Sequence, residues 1–366
     1  MAEYNIKKVG KNFRIYGDFI EGVPYGSGHI NDTFAVSYNQ AGDKMRYIFQ
    51  RINHNIFKNP EALMENIDRV TRHQQKKLEE HSSNVSRQTL SLVPSSDGKP
   101  FSIDTDGNYW RVYLFIENAE TYDIIENEEQ AFQAAKAFGK FQEELVDIPG
   151  DRLNETIPDF HNTSKRYEAL EEAIEADEFN RVKSAVKEIK FALERKADAA
   201  ILLDLSKEGK IPERITHNDT KLNNVMIDDK TGEGICVIDL DTVMPGLVLY
   251  DFGDLVRTST SPAAEDERDL SKVKMQINMF EALLKGYMST AGGFLNQTEK
   301  EYLPFGGKLI TLEIGVRFLT DYLSGDAYFK THRDGQNLDR CRTQFKLVSS
   351  IEEQMNEMNN LVKEYC

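Results

Sequence analysis

Strand-forming residues dominate the first third of the chain. In "DFIEGVPYGSGHINDTFAVSY", residues 18–38, β-branched and aromatic residues are broken by Gly26 and Gly28. That pattern predicts two strands joined by a glycine-containing loop. "NQAGDK" predicts a turn and "MRYIFQRIN" the returning strand. Asn59-Pro60 then predicts a helix start, with Asn59 as cap, Pro60 in the first turn and Leu63, Ile67 and Val70 on one face. "PFSIDTDGNYWRVYLFIEN" reads as a further hairpin turning at "DTDGN".

The period changes after Asn118. In "NEEQAFQAAKAFGKFQEEL", Asn127 is a helix cap with Gln130 three residues on, and Ala131, Ala135, Phe138, Phe141 and Leu145 recur at helical spacing. The charged stretch from Ser164 to Leu205 predicts two or three helices, and the pattern is helical again from about Asp269 to the end. The expected organisation is a small β-rich part, residues 1–117, a short connection near Phe115 to Asn118, and a large helical part, residues 118–366.

Composition narrows the function classes. Sixty-one acidic residues against 45 basic ones give a net charge of −16 over 366 residues. Such a surface suits solubility and makes a nucleic-acid partner a poor expectation. Cys236, Cys341 and Cys366 are far apart and lack metal-site spacing, so they read as reduced thiols. The N-terminal segment lacks an apolar stretch of signal-peptide length, and no run approaches a membrane span. A cytoplasmic protein with no membrane partner is the expectation; the sequence leaves the oligomeric state open.

The densest polar stretch is "ITHNDTKLNNVMID", residues 215–228, followed by the apolar run "GICVIDLD". Its plain alternative is an Asx-rich turn between strands. Yet His217-Asn218-Asp219, then Asn224 five residues on and Asp239 twenty residues on, resembles the active site of the protein-kinase-like phosphotransferases, the group that includes aminoglycoside and choline kinases. The resemblance implies an α+β, protein-kinase-like fold of two lobes, a small β-rich one and a large helical one. It also implies ATP and Mg2+ as donor and metal. Phosphoryl transfer asks the protein for positioning and charge neutralisation. Asp219 is thus expected to face the attacking hydroxyl as base. Asn224 and Asp239 are expected to offer hard oxygens to magnesium, and His217 to brace the loop. The "DFG" at Asp251-Phe252-Gly253 lies 32 residues past Asp219 with no apolar strand directly before it, so the magnesium role falls to Asp239. Asp251 or Asp254 is expected to be structural.

For the nucleotide, "YGSGHINDTF" resembles a glycine-rich loop, with Gly26, Ser27 and Gly28 near the phosphates and Asn31 where a third glycine would stand. A plain hairpin is the alternative. In "YIFQRIN", where the family places a basic phosphate contact, Arg51 is the only cation and Gln50 lies on the other face. Arg51 is the favoured substitute, with Glu65 a candidate partner for it. "YLFIEN" resembles the hinge, whose backbone at Phe115 to Glu117 would meet the adenine.

The finest resemblance is to the bacterial N-acetylhexosamine kinases, which phosphorylate the anomeric hydroxyl of N-acetylglucosamine and N-acetylgalactosamine. It is carried by "ITHNDTKLNNVMID", "VIDLDTVMPG", "YDFGDLVR", "FQRINHNIF" and "GVRFLTDYLSGDAYFK". It implies that His29, Asp241, Arg317 and Tyr328 line a sugar. Strand alternation would turn Asp239 and Asp241 the same way. Each has a plainer alternative: His29 as a loop cap, Asp241 as a turn residue, Arg317 paired with Asp321, Tyr328 in packing. Rival readings are a kinase of another small alcohol, such as an aminoglycoside, choline, homoserine or methylthioribose, and a catalytically inactive kinase-like docking module.

Overall fold

The computed structural model describes residues 4–26, 30–80 and 84–366. Three of the expected contacts, Ser27, Gly28 and His29, lie outside the described residues. The fold is α+β, with a sheet in the N-terminal region and helices in the C-terminal region. The chain divides into two compact units. One comprises Met1–Glu120, Asp147–Ile157 and Met226–Met244; the other Thr121–Val146, Pro158–Val225 and Pro245–Cys366. The sequence reading placed a single boundary after residue 117. The first segment runs to Glu120, and two later segments join the same unit.

In the first unit, β1 (Asp18–Pro24), β2 (Asp32–Gln40), β3 (Asp43–Arg51), β4 (Ser102–Ile103) and β5 (Tyr109–Leu114) form one sheet in the order β1-β2-β3-β5-β4. Neighbours are antiparallel. β2 and β3 close through Ala41 and Gly42, both at positive φ (56° and 102°), the geometry that matches the twist of a two-residue hairpin. Alternation sorts the side chains. Phe34, Val36, Tyr38, Tyr47, Phe49, Trp110 and Val112 make a core with Ile6, Val9 and Phe13. Thr33, Gln50, Arg111 and Tyr113 take the opposite face by the period-two rule. The helix Pro60–Glu79 is capped by Asn59, which accepts from the Ala62 amide. Its Leu63, Ile67 and Val70 are fully buried, each stabilising the fold by about 1.5–3 kcal/mol.

In the second unit, Asn127 caps Glu128–Leu145 by accepting from the Gln130 amide. Gln130 returns a bond to Glu126, one residue before the cap. Ala131, Ala135, Phe138, Phe141 and Leu145 are all buried. Gly286, on Ile277–Ala291, lets that helix meet Glu128–Leu145: a Cβ there would stand 2.9 Å from Phe132 Cα. The charged stretch forms Thr163–Ala176, Val186–Leu193 and Ile201–Lys207. Tyr167, Leu170 and Ile189 pack with Leu312, Val316, Phe345 and Val348 of the long helices Leu303–Leu323 and Gln336–Tyr365. None of the three cysteines forms a disulfide. Among the described residues, no helix is long and apolar enough to cross a membrane.

Candidate active site

The polar stretch that opens at Ile215 is held by a buried carboxylate. Asp251 lies in the first turn of the helix Val248–Ser259. Its Oδ2 accepts from the His217 amide at 2.8 Å and its Oδ1 from the Asn218 amide at 2.7 Å. Gln142 Nε2 donates to Oδ2 at 2.6 Å, and Tyr287 donates to the Gln142 side-chain carbonyl. Asp251 is therefore the structural carboxylate, and Asp254 instead accepts from Arg257 at 2.7 Å. Gly246 lets its segment approach the loop, since a Cβ there would fall 3.1 Å from Asn218 Oδ1 and nearer still to Thr216 Oγ1. Asp251→Ala would strand two buried N–H groups, each costing about 1–3 kcal/mol. The urea midpoint is expected to drop accordingly; an unchanged midpoint would remove Asp251 from this role.

The backbone thus fixed turns sharply at Asn218, whose φ is +65°, a conformation asparagine tolerates better than most residues. His217 is fully buried against Phe138 and Phe141, and its Nδ1 accepts from the Asp219 amide at 3.3 Å. His217 therefore braces the loop. Asp219 keeps 31% of its side chain exposed, so a reactant can reach it. Lys221 Nζ lies 3.0 Å from Asp219 Oδ2, and Asn224 Nδ2 donates to the same oxygen at 3.1 Å and to the Asp219 carbonyl at 2.8 Å. Desolvation pushes the Asp219 carboxyl upward, but Lys221, His217 and Asn224 outweigh it and hold it below the ordinary carboxylate range. It is ionised at neutral pH and able to accept a proton. Because Asn224 donates through nitrogen, its carbonyl oxygen is left as an acceptor of the hard kind that magnesium takes.

Asp239 belongs to the first unit. The strand Gly234–Val237 ends two residues before it, and Asp239 sits at φ +59° as the cap of the 3-10 turn Leu240–Thr242. The expectation that alternation turns Asp239 and Asp241 the same way fails here, because neither residue is in a strand. Asp241 is buried. Its Oδ1 pairs with Arg111 Nη1, and its Oδ2 accepts from Asn31 Nδ2 at 2.6 Å. Asn31, read as a departure from the glycine pattern, thereby ties the residues before β2 to the Asp239 turn. Asn66 Nδ2, donating to the Val243 carbonyl at 3.0 Å, holds the far side of that turn.

The basic contact differs from the sequence expectation. Arg51 stands on the core face of the sheet, with its Nε 2.6 Å from Asp32 Oδ2 and its guanidinium over the Tyr4 ring. Its partner is Asp32 and not Glu65, which instead accepts from Asn154 at 3.2 Å. On the opposite face, Arg111 is 1% exposed, donates to Gln50 Oε1 at 2.9 Å and pairs with Asp241. Burial alone would lower the Arg111 pKa; Asp241, Tyr113 and Asp239 beside it more than offset that and raise it. Among the described residues, the Tyr113 hydroxyl on this face is buried with no hydrogen-bond partner. Sequence reasoning missed Arg111. The signal was in "YWRVYLF": Trp110 and Val112 facing the core put Arg111 and Tyr113 together on the other side.

At Phe115 to Glu117, the Phe115 amide donates to the Arg46 carbonyl at 3.2 Å, and Arg46 stacks on the Phe115 ring while pairing with Glu117. Arg87 donates to the Glu117 and Asn118 carbonyls at 3.1 and 2.9 Å. Arg46, Arg87, Phe115 and Glu117 line a cavity of about 690 Å³ together with Lys44, Met45 and Leu114. The turn glycine Gly26 has φ +79°.

In the second unit, Arg317 does not pair with Asp321. That carboxylate accepts from the Tyr328 and Phe329 amides at 2.7 and 2.9 Å and from Asn337 at 2.8 Å. Arg317 lies instead 5.5–5.8 Å from the rings of Phe160, Tyr328 and Phe329, so two of the expected sugar contacts, Arg317 and Tyr328, are neighbours. Among the described residues its guanidinium makes no hydrogen bond. Also among them, no group of three or more His, Cys, Asp or Glu is arranged to hold a metal ion. Magnesium commonly takes only one or two protein carboxylates and completes its shell with water and phosphate oxygens, so a site for that ion needs no such cluster.

The model of the phosphotransferase enzyme family matches residues 21–274. Among solved structures, the chain is similar to an aminoglycoside phosphotransferase from Alicyclobacillus acidocaldarius, at 14% identity and a TM-score of 0.64 over 100% of this chain and 98% of that one. It is also similar to a choline kinase from Cryptosporidium parvum, at 14% identity, TM-score 0.56 and 98% of each chain. A third is a spectinomycin phosphotransferase in complex with ADP and spectinomycin, at 13% identity, TM-score 0.51, and 96% and 97% of the two chains. These likenesses establish the fold.

Proposed function

From the premise that the chain belongs to the phosphotransferase enzyme family, and so transfers phosphate to an alcohol group of a small molecule, we propose that it is an ATP-dependent N-acetylhexosamine 1-kinase. In this reading Asp219 is the base for the anomeric hydroxyl, and Asn224 and Asp239 hold magnesium. The ion, when bound, neutralises charge on the phosphates. Asp219, ionised and partly open, orients the hydroxyl and takes its proton, while Asp251 and His217 keep that carboxylate in place. The nucleotide is assigned to residues 26–28 and the Phe115–Glu117 backbone. For the basic contact the commitment of Arg51 to Asp32 favours Arg111. Arg317, Tyr328, Asp241 and His29 are assigned to the sugar, and cysteines outside any disulfide accord with work in the cytoplasm.

The observation that supports the sugar over its rivals is the surroundings of Arg317. A partly buried guanidinium among three aromatic rings, with Arg166 close enough to raise the cost of further positive charge, repels a cationic aminoglycoside, choline or ethanolamine. It offers donors to the hydroxyls and acetamide of a neutral sugar and rings for its apolar face. The test is ADP release with magnesium and ATP against a panel of N-acetylhexosamines, other sugars and amino alcohols. N-acetylhexosamines are expected to give the highest kcat/KM; a preference for an amino alcohol would overturn the assignment. Arg317→Ala is expected to raise the sugar KM by about 10-fold, as for the loss of one charge-assisted hydrogen bond, with little change in kcat. An unchanged KM would remove Arg317 from the pocket.

A further inference from the structure

His161 lies outside every motif considered so far, just before the helix Thr163–Ala176, and it is 7% exposed. Its two ring nitrogens face two acceptors. Nδ1 is 2.9 Å from Glu313 Oε1, and Nε2 is 3.2 Å from the backbone carbonyl oxygen of Asn218. Glu313 is itself fully buried, and its second oxygen accepts from the Thr163 hydroxyl at 2.6 Å. A neutral imidazole carries one N–H and could satisfy only one of the two acceptors; an imidazolium satisfies both.

The Asn218 carbonyl belongs to the peptide bond that leads into Asp219. That peptide's N–H is the one accepted by His217 Nδ1, while the Asn218 amide on its other side is held by Asp251. His161 therefore grips the remaining polar group of a peptide unit already fixed on both flanks. We propose that His161 is a positioning residue for Asp219: as an imidazolium seated on Glu313, it donates to the Asn218 carbonyl and so orients the carboxylate that follows. The inference rests on the reading of Asp219 as the base.

The charged groups around His161 favour this state. On Leu303–Leu323 stands Glu313, whose charge is shared with Arg317; on Val248–Ser259 stands Asp254, with the Tyr250 ring 5.1 Å from the imidazole. Thr163 and Arg166 come from the helix that follows, and the Phe160 ring lies alongside. Burial pulls the His161 pKa down, but Glu313, and more weakly Asp254 and the Asn218 carbonyl, override it, so the net direction is upward. A raised folded-state pKa makes the clamp complete below the ordinary histidine value of about 6.5, and the clamp is lost as pH rises through the higher folded-state value. The consequence is an alkaline limb in kcat that comes from His161.

Two measurements test this, one of them independent of activity. Nitrogen-15 NMR of the wild-type chain at pH 6, below the ordinary histidine value of about 6.5, is expected to show His161 protonated at both ring nitrogens. As it titrates above that pH, the amide protection factors at His217 to Asp219, corrected for base-catalysed intrinsic exchange, should fall in step. A neutral His161 at pH 6, or loop protection indifferent to its titration, would overturn the proposal. In kinetics, His161→Ala is expected to lower kcat roughly 10-fold or more, the size of a lost bond to a charged donor, with the nucleotide KM little changed. His161→Gln, which can still donate to the Asn218 carbonyl but cannot titrate, should recover most of the loss and flatten the alkaline limb. An alkaline limb unchanged in His161→Gln would also overturn it. If no acceptor supports ADP release while the NMR coupling holds, the sugar-kinase reading fails and the clamp on the loop stands.

Discussion

Asp219→Asn is expected to lower kcat by ~10²–10⁴, the usual cost of losing a general base, with a melting temperature close to that of the parent. The substitution keeps the size of the side chain. It removes the charge that pairs with Lys221 and the oxygen basicity that accepts the hydroxyl proton. It leaves the main-chain holds untouched, because the bonds from Asp251 to His217 and Asn218, and from His217 to residue 219, run through backbone amides. A fall in kcat with little change in either KM would place the effect on the reacting step. Near-parental turnover at saturating substrates would contradict the role of Asp219.

The second large effect is expected at Asp239, and the backbone decides which variant is clean. With φ at +59°, Asp239 occupies a region that asparagine adopts at lower cost than alanine, so Ala would add strain of about 1–2 kcal/mol to any loss of chemistry. Asp239→Asn keeps the turn and removes one negative charge. As a metal-ligand loss it withdraws charge compensation from the phosphates, and its deficit should equal or exceed that of Asp219→Asn. The measurement is kcat/KM for the magnesium nucleotide across a magnesium titration. The deficit should be largest at low magnesium and shrink as the ion is raised. A deficit well below that of Asp219→Asn at every magnesium concentration would remove Asp239 from the metal.

Period and capping made much of the fold legible. The strand runs of the first third, the Asn59 and Asn127 caps, and the buried stripe from Ala131 to Leu145 follow from local rules that the surrounding structure does not override. The internal hairpin at Ala41-Gly42 is equally local. The division into units is not local. Segments 147–157 and 226–244 join the N-terminal unit through contacts such as Asn66 with Asn154 and Val243, and no period in the sequence announces a partner nearly 180 residues away.

The polar groups of the site divide in the same way. His217, Asp219 and Asn224 lie within eight residues of one another, so their spacing carries the signal. Arg111 and Asp241 are 130 residues apart, and His161 and Glu313 are 152 apart; each looks alone like an ordinary surface residue. Only burial shows that each needs its partner, since an unpaired buried charge is costly. Asp239 misled for a different reason. A run such as "GICVIDLD" continues the strand pattern through its end, whereas the backbone leaves the strand after Val237 and turns left-handed at Asp239. The side-chain alternation extrapolated through Asp241 therefore had no strand to follow.

The most direct test of the sugar-kinase reading is where the phosphate goes. The chain would be incubated with ATP, magnesium and N-acetylglucosamine or N-acetylgalactosamine, and the product examined by phosphorus–proton NMR. A new phosphate ester coupled to the anomeric proton, formed as ADP appears and absent with Asp219→Asn, is the expected outcome. Phosphate on any other oxygen, or on an amino alcohol in preference to either sugar, would contradict it.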